Sequence, residues 1–153
     1  MPLEIEAKMR ISDMKALTAK LSELGAVPVS STSEINIFFD TSDEMLKAAD
    51  MGLRIRVETE SAGGNRRVLI THKGPRAEGP IKTRQETELQ VADPEAASEL
   101  LEALGFVRGL SFEKHRQRWR LDECHVDLDQ LPYLGRFVEI EGRSLDVVLA
   151  VCE

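Results

Sequence analysis

Most of this sequence alternates with a period of two, and the alternation sets charge against hydrocarbon. Leu3, Ile5, Ala7 and Met9 share one parity, while Glu4, Glu6, Lys8 and Arg10 share the other. Leu53, Ile55 and Val57 oppose Arg54, Arg56 and Glu58. Arg84, Glu86 and Glu88 fall on one face, as do Lys114, Arg116, Arg118 and Arg120, and then Asp127 and Asp129. Phe137, Glu139 and Glu141 oppose Val138 and Ile140. Side chains of a strand point alternately to its two faces, so each segment reads as a strand with one charged face. Most of the chain must therefore fold as sheet.

Two segments carry helical spacing instead. Ser12 can cap the first; Met14, Leu17, Leu21 and Leu24 form its stripe and Gly25 ends it. Asp93 caps the second, with Pro94 in its first turn, a stripe of Ala97, Leu100, Leu101 and Leu104, and Gly105 at its end. Glu4 and Glu6 precede the first helix much as Glu86 and Glu88 precede the second, which reads as a duplicated strand–helix unit. Ala62-Gly63-Gly64-Asn65 predicts a hairpin turn between Leu53–Thr59 and Arg67–His72. Asp40–Asp43 reads as a turn or helix start. Lys73-Gly74-Pro75 to Gly79-Pro80 reads as a flexible loop. With 153 residues and no linker, a single domain over 1–153 is expected.

An antiparallel sheet often has one wet face, so any one charged strand face is ordinary. Six or seven such strands are another matter, because a sheet that long tends to curl or close. Closure with the charges inward makes a polar tunnel; closure with them outward makes a small barrel around an apolar core. Periodicity does not choose between the two. Chemistry offers a use for the inward choice. Hard divalent ions take carboxylate oxygens, and phosphate oxygens take Arg and Lys. Glu-x-Glu on a strand sets two carboxylates on one face roughly 6–7 Å apart, and the chain has three copies, one of which runs on into Lys8.

Overall charge narrows the partners. The chain carries 20 Lys and Arg against 27 Asp and Glu, net −7, which disfavours nucleic acid and anionic membranes as partners. No stretch approaches the roughly 18 apolar residues of a membrane-spanning helix. The N-terminus has neither the basic region nor the apolar core of a signal peptide. Cys124 and Cys152 form no metal pattern or disulfide framework, so inert thiols in a reducing cytoplasm are expected.

Glu4-Ile5-Glu6-Ala7-Lys8 resembles the Glu-x-Glu-x-Lys signature of the CYTH domain, the triphosphate tunnel metalloenzyme family. Further resemblances follow in order: Phe38-Phe39-Asp40-Thr41, Leu53-Arg54-Ile55-Arg56, Ile70-Thr71-His72-Lys73-Gly74, Arg84-Gln85-Glu86-Thr87-Glu88, Lys114-His115-Arg116, Asp127-Leu128-Asp129, and Leu134-Gly135-Arg136-Phe137-Val138-Glu139-Ile140-Glu141. The wording is most similar to the branch that includes CyaB-type class IV adenylate cyclases; thiamine triphosphatases and inorganic tripolyphosphatases belong to the same family. The resemblance implies an α+β, mainly β fold: a closed eight-stranded antiparallel barrel with flanking helices. It implies that Glu4, Glu6, Glu86, Glu88, Asp127, Asp129, Glu139 and Glu141 supply ligands or near neighbours for Mg²⁺ or Mn²⁺. It assigns phosphate binding to Lys8, Arg54, Arg56, Lys73, Arg84, Lys114 and Arg116, and catalysis to Lys8, Glu6 and Glu141. Arg10, Arg118 and Arg120 stand near strand ends, which often point at solvent.

Three departures stand out. No His-Phe pair precedes the Glu-x-Glu-x-Lys strand, as it does in class IV cyclases. Only Gly142–Glu153 follow the last Glu-Ile-Glu, so a C-terminus shorter than the family's is expected, with Ser144–Asp146 able to begin a helix. Phe38 replaces a tyrosine. Among the histidines, His125 shares the parity of Asp127 and is the best placed to contact a polyphosphate; His72 and His115 face away from the bases beside them. Trp119 reads as core.

The expected function is a metal-dependent enzyme acting on a small triphosphate (ATP, thiamine triphosphate or tripolyphosphate), by hydrolysis or by cyclisation of ATP. The alternatives are a non-catalytic nucleotide or polyphosphate sensor and an interaction barrel with a charged exterior. A homodimer is compatible with the resemblance.

Overall fold

The computed structural model describes residues 3–79 and 81–143. Eight strands form a closed barrel: β1 (Leu3–Ile11), β2 (Val27–Asp40), β3 (Gly52–Glu60), β4 (Arg66–Lys73), β5 (Lys82–Val91), β6 (Val107–Leu121), β7 (Cys124–Leu131) and β8 (Gly135–Gly142). Their order around the barrel is β1-β5-β4-β3-β2-β6-β7-β8, β8 closes onto β1, and every pairing is antiparallel. Closure removes the exposed edges that so much strand would otherwise present.

Three helices complete the described residues: α1 (Met14–Glu23), α2 (Met45–Ala48) and α3 (Pro94–Ala103). Asp13, one residue later than the expected Ser12, caps α1 by accepting from the Ala16 N–H at 3.0 Å. Asp93 caps α3 through the Glu95 N–H, as the sequence predicts. Both long helices end alike. The N–H groups of Gly25 and Ala26 return to the carbonyls of Ser22 and Leu21, and those of Gly105 and Phe106 to Glu102 and Leu101. This reversal needs a left-handed residue, and Gly25 and Gly105 supply it with φ of +83° and +101°. The apolar stripes are narrower than predicted: Leu24, Leu100 and Leu104 are exposed, while Leu21, Ala97 and Leu101 are buried. The third helix, α2, continues the Asp40 turn, whose carboxylate accepts from the Thr41, Leu46 and Lys47 N–H groups.

The duplicated unit has a structural counterpart. β1-α1-β2 and β5-α3-β6 have the same order of elements, and β1 pairs with β5 as β2 pairs with β6. Each helix lies on the outer wall over its own apolar cluster. Leu21 packs with Ile5, Trp119, Val126, Leu128, Val138 and Ile140. Ala97 and Leu101 pack with Phe39, Leu53, Ile55 and Val68. The hydrocarbon faces thus point out of the barrel into helix-covered cores, and the charged faces point inward. The two helices account for the choice that the period of two left open: each buries one stretch of the outer wall, and the lumen is left for the ionic groups. Trp119 is core, as expected.

The Gly74–Gly79 stretch is tied down at several points. The Gly74 N–H donates to the Gln85 carbonyl and the Ala77 N–H to the Thr83 carbonyl, both at 2.7 Å. Arg76 grips Asp50 through its backbone N–H and guanidinium. The expected C-terminal helix start at Ser144 and the apolar tail with Cys152 lie outside the described residues.

Candidate active site

One cavity of about 570 Å³ occupies the barrel. Glu4, Glu6 and Lys8 reach it from β1, Arg54 and Arg56 from β3, Lys73 from β4, Glu86 and Glu88 from β5, Lys114 and Arg116 from β6, and Glu139 and Glu141 from β8. Alternation alone puts them there: with the odd or even set buried under a helix, the other set has only the lumen.

At one position three carboxylates from β1 and β8 come together. Oxygens of Glu4, Glu6 and Glu141 all lie within 4.8 Å of one another. Lys73 Nζ donates to both Glu4 oxygens at 3.2 Å. Burial, followed by the negative charge of Glu4 and then Glu6, pushes the Glu141 carboxyl up to about 7. The cluster's donors are all hard carboxylate oxygens. Such a set suits Mg²⁺ or Mn²⁺.

The cationic counterpart is Arg54. Its side chain is buried, donates one long bond to Thr71 at 3.4 Å, and leaves Nε without a partner. Burial, followed by repulsion from Arg56, pulls the guanidinium down to about 10. Among the described residues it forms no ion pair, with Glu34 and Glu4 acting on it only from a distance, and a buried cation in that position is a receptor for an anion. Lys73 and Lys114 are also pulled down, chiefly by burial.

The remaining expected residues are more fully paired. Arg116 bonds Asp129 through Nε at 2.7 Å and Nη2 at 2.8 Å, and reaches Glu139 at 2.9 Å. Lys114 donates to Asp129 at 3.0 Å, and Arg118 makes a two-bond contact with Asp127. Asp127 and Asp129 are each only 1% exposed, pair with these bases, and neither line the cavity nor join the Glu4–Glu6–Glu141 cluster. Burial raises Glu139, but Arg116, Lys114 and Lys8 outweigh it and hold the carboxyl well below the usual range. Glu86 lies 3.6 Å from Lys73, and Glu88 accepts from Thr71 at 3.2 Å. Lys8 lies 3.5 Å from Glu139 and sits over the Phe137 ring.

Arg84 is placed differently from the phosphate-binding expectation. Its guanidinium donates to the Gly74 and Asp50 carbonyls at 2.9 and 3.0 Å, tying two loops together, and it does not line the cavity. His125 borders a neighbouring pocket beside Glu141, with burial lowering its pKa and Nδ1 without a partner.

Sequence reasoning missed Glu34. It is 2% exposed, 3.0 Å from Arg56 and 3.8 Å from both Lys114 and Arg116, with Oε1 lacking a hydrogen bond. Asn36 accepts from Arg56 Nε at 2.7 Å. Both were visible in principle, because Thr32, Glu34, Asn36 and Phe38 alternate against Ile35, Ile37 and Phe39. The far rim of the cavity adds Glu58, Glu60, Arg66 and Arg67 around the β3–β4 hairpin.

Known proteins share both the sequence and the shape. The chain is 31% identical over 147 residues to adenylate cyclase CyaB of Aeromonas hydrophila, covering 95% of this chain and 72% of that protein. It is 29% identical over 145 residues to a candidate adenylate cyclase of Methanocaldococcus jannaschii, covering 95% and 79%. A protein of Pyrococcus horikoshii superposes with a TM-score of 0.83 at 27% identity, over 97% of this chain and 83% of that one. A Hippeastrum protein described as a candidate adenylyl cyclase with dominant triphosphatase activity shares the fold, with a TM-score of 0.71 at 22% identity over 97% and 84%. The CYTH domain itself matches residues 2–147. On this match and the closed barrel that carries its motifs, the chain belongs to the CYTH domain family.

Proposed function

We propose that this chain is a divalent-metal-dependent enzyme that transforms a small triphosphate inside the barrel. One observation carries the reading: a single tunnel holds three carboxylates gathered within 4.8 Å, a set suited to a cation, and a buried arginine with a free Nε, suited to an anion. A complex of a divalent cation with a polyphosphate supplies both at once. Glu4, Glu6 and Glu141 would hold the ion, and their oxygens suit Mg²⁺ or Mn²⁺. When bound, such an ion offsets charge on phosphate oxygens as a bond to phosphorus breaks.

The chain's own groups do the rest. Arg54 binds phosphate oxygen without first surrendering a carboxylate. Lys8, Arg56, Lys73, Lys114 and Arg116 surround the remaining oxygens and keep the chain of phosphates in one orientation. Asp127 and Asp129 hold Arg116, Arg118 and Lys114 in place, so these bases are preorganised. The nucleophile is water in hydrolysis and a ribose 3′-hydroxyl in cyclisation; the walls described above serve either reaction. The CyaB relative favours turnover of a nucleoside triphosphate, and the Hippeastrum likeness favours triphosphatase chemistry.

The test is a product-resolved assay of ATP, thiamine triphosphate and tripolyphosphate with Mg²⁺, with Mn²⁺ and with chelator. Turnover of at least one substrate, lost with chelator and in Glu6→Gln and Glu141→Gln, is the expected result. Cyclic AMP with pyrophosphate identifies a cyclase, and orthophosphate a hydrolase. Tight binding of all three without turnover would instead make the barrel a sensor.

A further inference from the structure

A serine and a histidine meet on the outer wall of the barrel, away from the tunnel. Ser31 Oγ lies 3.0 Å from His115 Nε2, and His115 Nδ1 lies 3.2 Å from the Thr32 carbonyl. Three strands build the contact. His115 stands opposite Ser33 in the β2–β6 pairing, so its ring leans along β2 to reach Ser31. Ser61, just past the end of β3, donates its N–H to the Ser31 carbonyl at 2.9 Å and holds its own Oγ 3.3 Å from Ser31 Oγ. Ser31 and His115 are half-buried, and Ser61 is exposed. Ser31 shares its parity with Ile37 and Phe39, which enter the core beneath α3, so it faces outward. None of the three residues lines the tunnel.

The partners fix where the protons sit. A carbonyl only accepts, so in the neutral ring Nδ1 carries the proton and Nε2 is the acceptor. The Ser31 hydroxyl therefore donates to Nε2, and the Ser61 hydroxyl donates to Ser31 Oγ. A nucleophile, a base and a group that orients the base thus stand within hydrogen-bond reach of one another, the arrangement that activates a hydroxyl. Beside them, His115, Ser33, Ile35, Leu131 and Pro132 border a shallow cavity of about 500 Å³. Ile35 is 44% exposed there, and such hydrocarbon can receive a short acyl chain.

We propose that Ser31, activated by His115, is a second reactive centre, which takes the acyl group from an ester of a short carboxylic acid. Ser31 Oγ bonds to the ester carbon while its proton passes to His115 Nε2. The bond from that carbon to the alcohol oxygen breaks, and the alcohol leaves with the proton. Water then attacks the acyl-serine by the same route, giving its proton to Nε2 and releasing the acid as Ser31 takes the proton back. The Ser61 hydroxyl is at hand to donate to the carbonyl oxygen as that oxygen gains charge. The centre is independent of the triphosphate reading above.

The probe is 4-nitrophenyl acetate, with release of nitrophenol followed by absorbance and the acetyl adduct located by peptide mass mapping. In the wild type the adduct is expected on Ser31. Release should fall to background in Ser31→Ala and by about a hundredfold in His115→Ala, the lower end of what a general base contributes. Glu6→Gln, altered only in the tunnel, should react at the wild-type rate. Thermal melting reports whether each variant folds, and mapping the adduct in the wild type needs no variant. Absence of an adduct on Ser31, or an unchanged rate in folded His115→Ala, would overturn the proposal.

Discussion

Arg116 and Asp129 face each other across β6 and β7 through two parallel hydrogen bonds, Nε to Oδ1 at 2.7 Å and Nη2 to Oδ2 at 2.8 Å. Both side chains are almost fully buried. The pair makes Asp129 the residue that orients a base in the tunnel wall. Asp129→Ala leaves a buried guanidinium without its best partner, and breaking a buried pair costs about 3–5 kcal/mol. We expect a loss near the lower end, because Glu139 and Asp127 remain beside Arg116. Urea denaturation with chelator present measures it, and a change below about 0.5 kcal/mol, the size of ordinary surface substitutions, would contradict the assignment.

Glu141 carries the clearest pH signature. Its folded pKa is raised to about 7, above the unfolded value near 4.3. The folded state therefore holds an extra proton between these values, and stability of the metal-free protein falls as pH rises through that window. In Glu141→Gln this part of the slope disappears. Comparing melting temperatures of the two proteins at pH 5 and pH 8 in chelator tests it: the difference between the proteins should favour the variant more at pH 8.

The same proton competes with a cation. Deprotonation of Glu141 must accompany ion binding, so Mn²⁺ affinity should weaken as pH drops below about 7, by up to about tenfold per unit for one proton released. Calorimetric titration between pH 5.5 and 8 reads the slope. A flat profile would show that Glu141 is not among the ligands.

Arg54 should trade stability against binding. Arg54→Met removes a buried cation whose one side-chain hydrogen bond among the described residues is a long one to Thr71, so the ligand-free protein should hold or gain stability. A hydrogen bond to a charged group contributes about 1.5–3 kcal/mol, so triphosphate binding should weaken by roughly 10- to 150-fold. Opposite movement of the two quantities is the signature; a parallel loss would mean that Arg54 serves the fold.

Arg84 should behave in the reverse manner. Its bonds to the Gly74 and Asp50 carbonyls join the loop after β4 to the turn before β3. Arg84→Ala should speed hydrogen exchange at Gly74 and Ala77 while leaving the dissociation constant of tripolyphosphate within about twofold, inside the scatter of non-contacting substitutions. A much larger change in affinity would return Arg84 to the phosphate-binding set.

Arg84 also shows where a reading by parity stops. It shares its face with Glu86 and Glu88, yet it sits near the start of β5, before the pairing with β4 begins, and its long side chain finds the Gly74 and Asp50 carbonyls instead of the tunnel. Asp127 and Asp129 have inward parity too, but they pair with Arg116, Arg118 and Lys114 and do not line the cavity. Alternation states which way a Cβ points; it does not state which of two neighbouring charges reaches the cavity. Glu34 and Asn36 escaped for a simpler reason, since a lone carboxylate and an amide among Ser, Thr and Ile resemble an ordinary wet strand.

What the sequence determined by itself was the strand–helix order, the caps at Asp93 and the two glycine helix ends, the two-faced strands and most of the tunnel's charged residues. These follow from local rules: the period of two, the cap's free N–H groups and the left-handed turn that glycine permits. Only the tertiary structure decided that the charges face inward. Two amphipathic helices, folded back over opposite walls, bury the hydrocarbon on the outside, and closure of β8 onto β1 brings Glu141 to Glu4 and Glu6 from opposite ends of the sequence. That meeting, in the same tunnel as Arg54, depends on distances between strands that no single segment encodes.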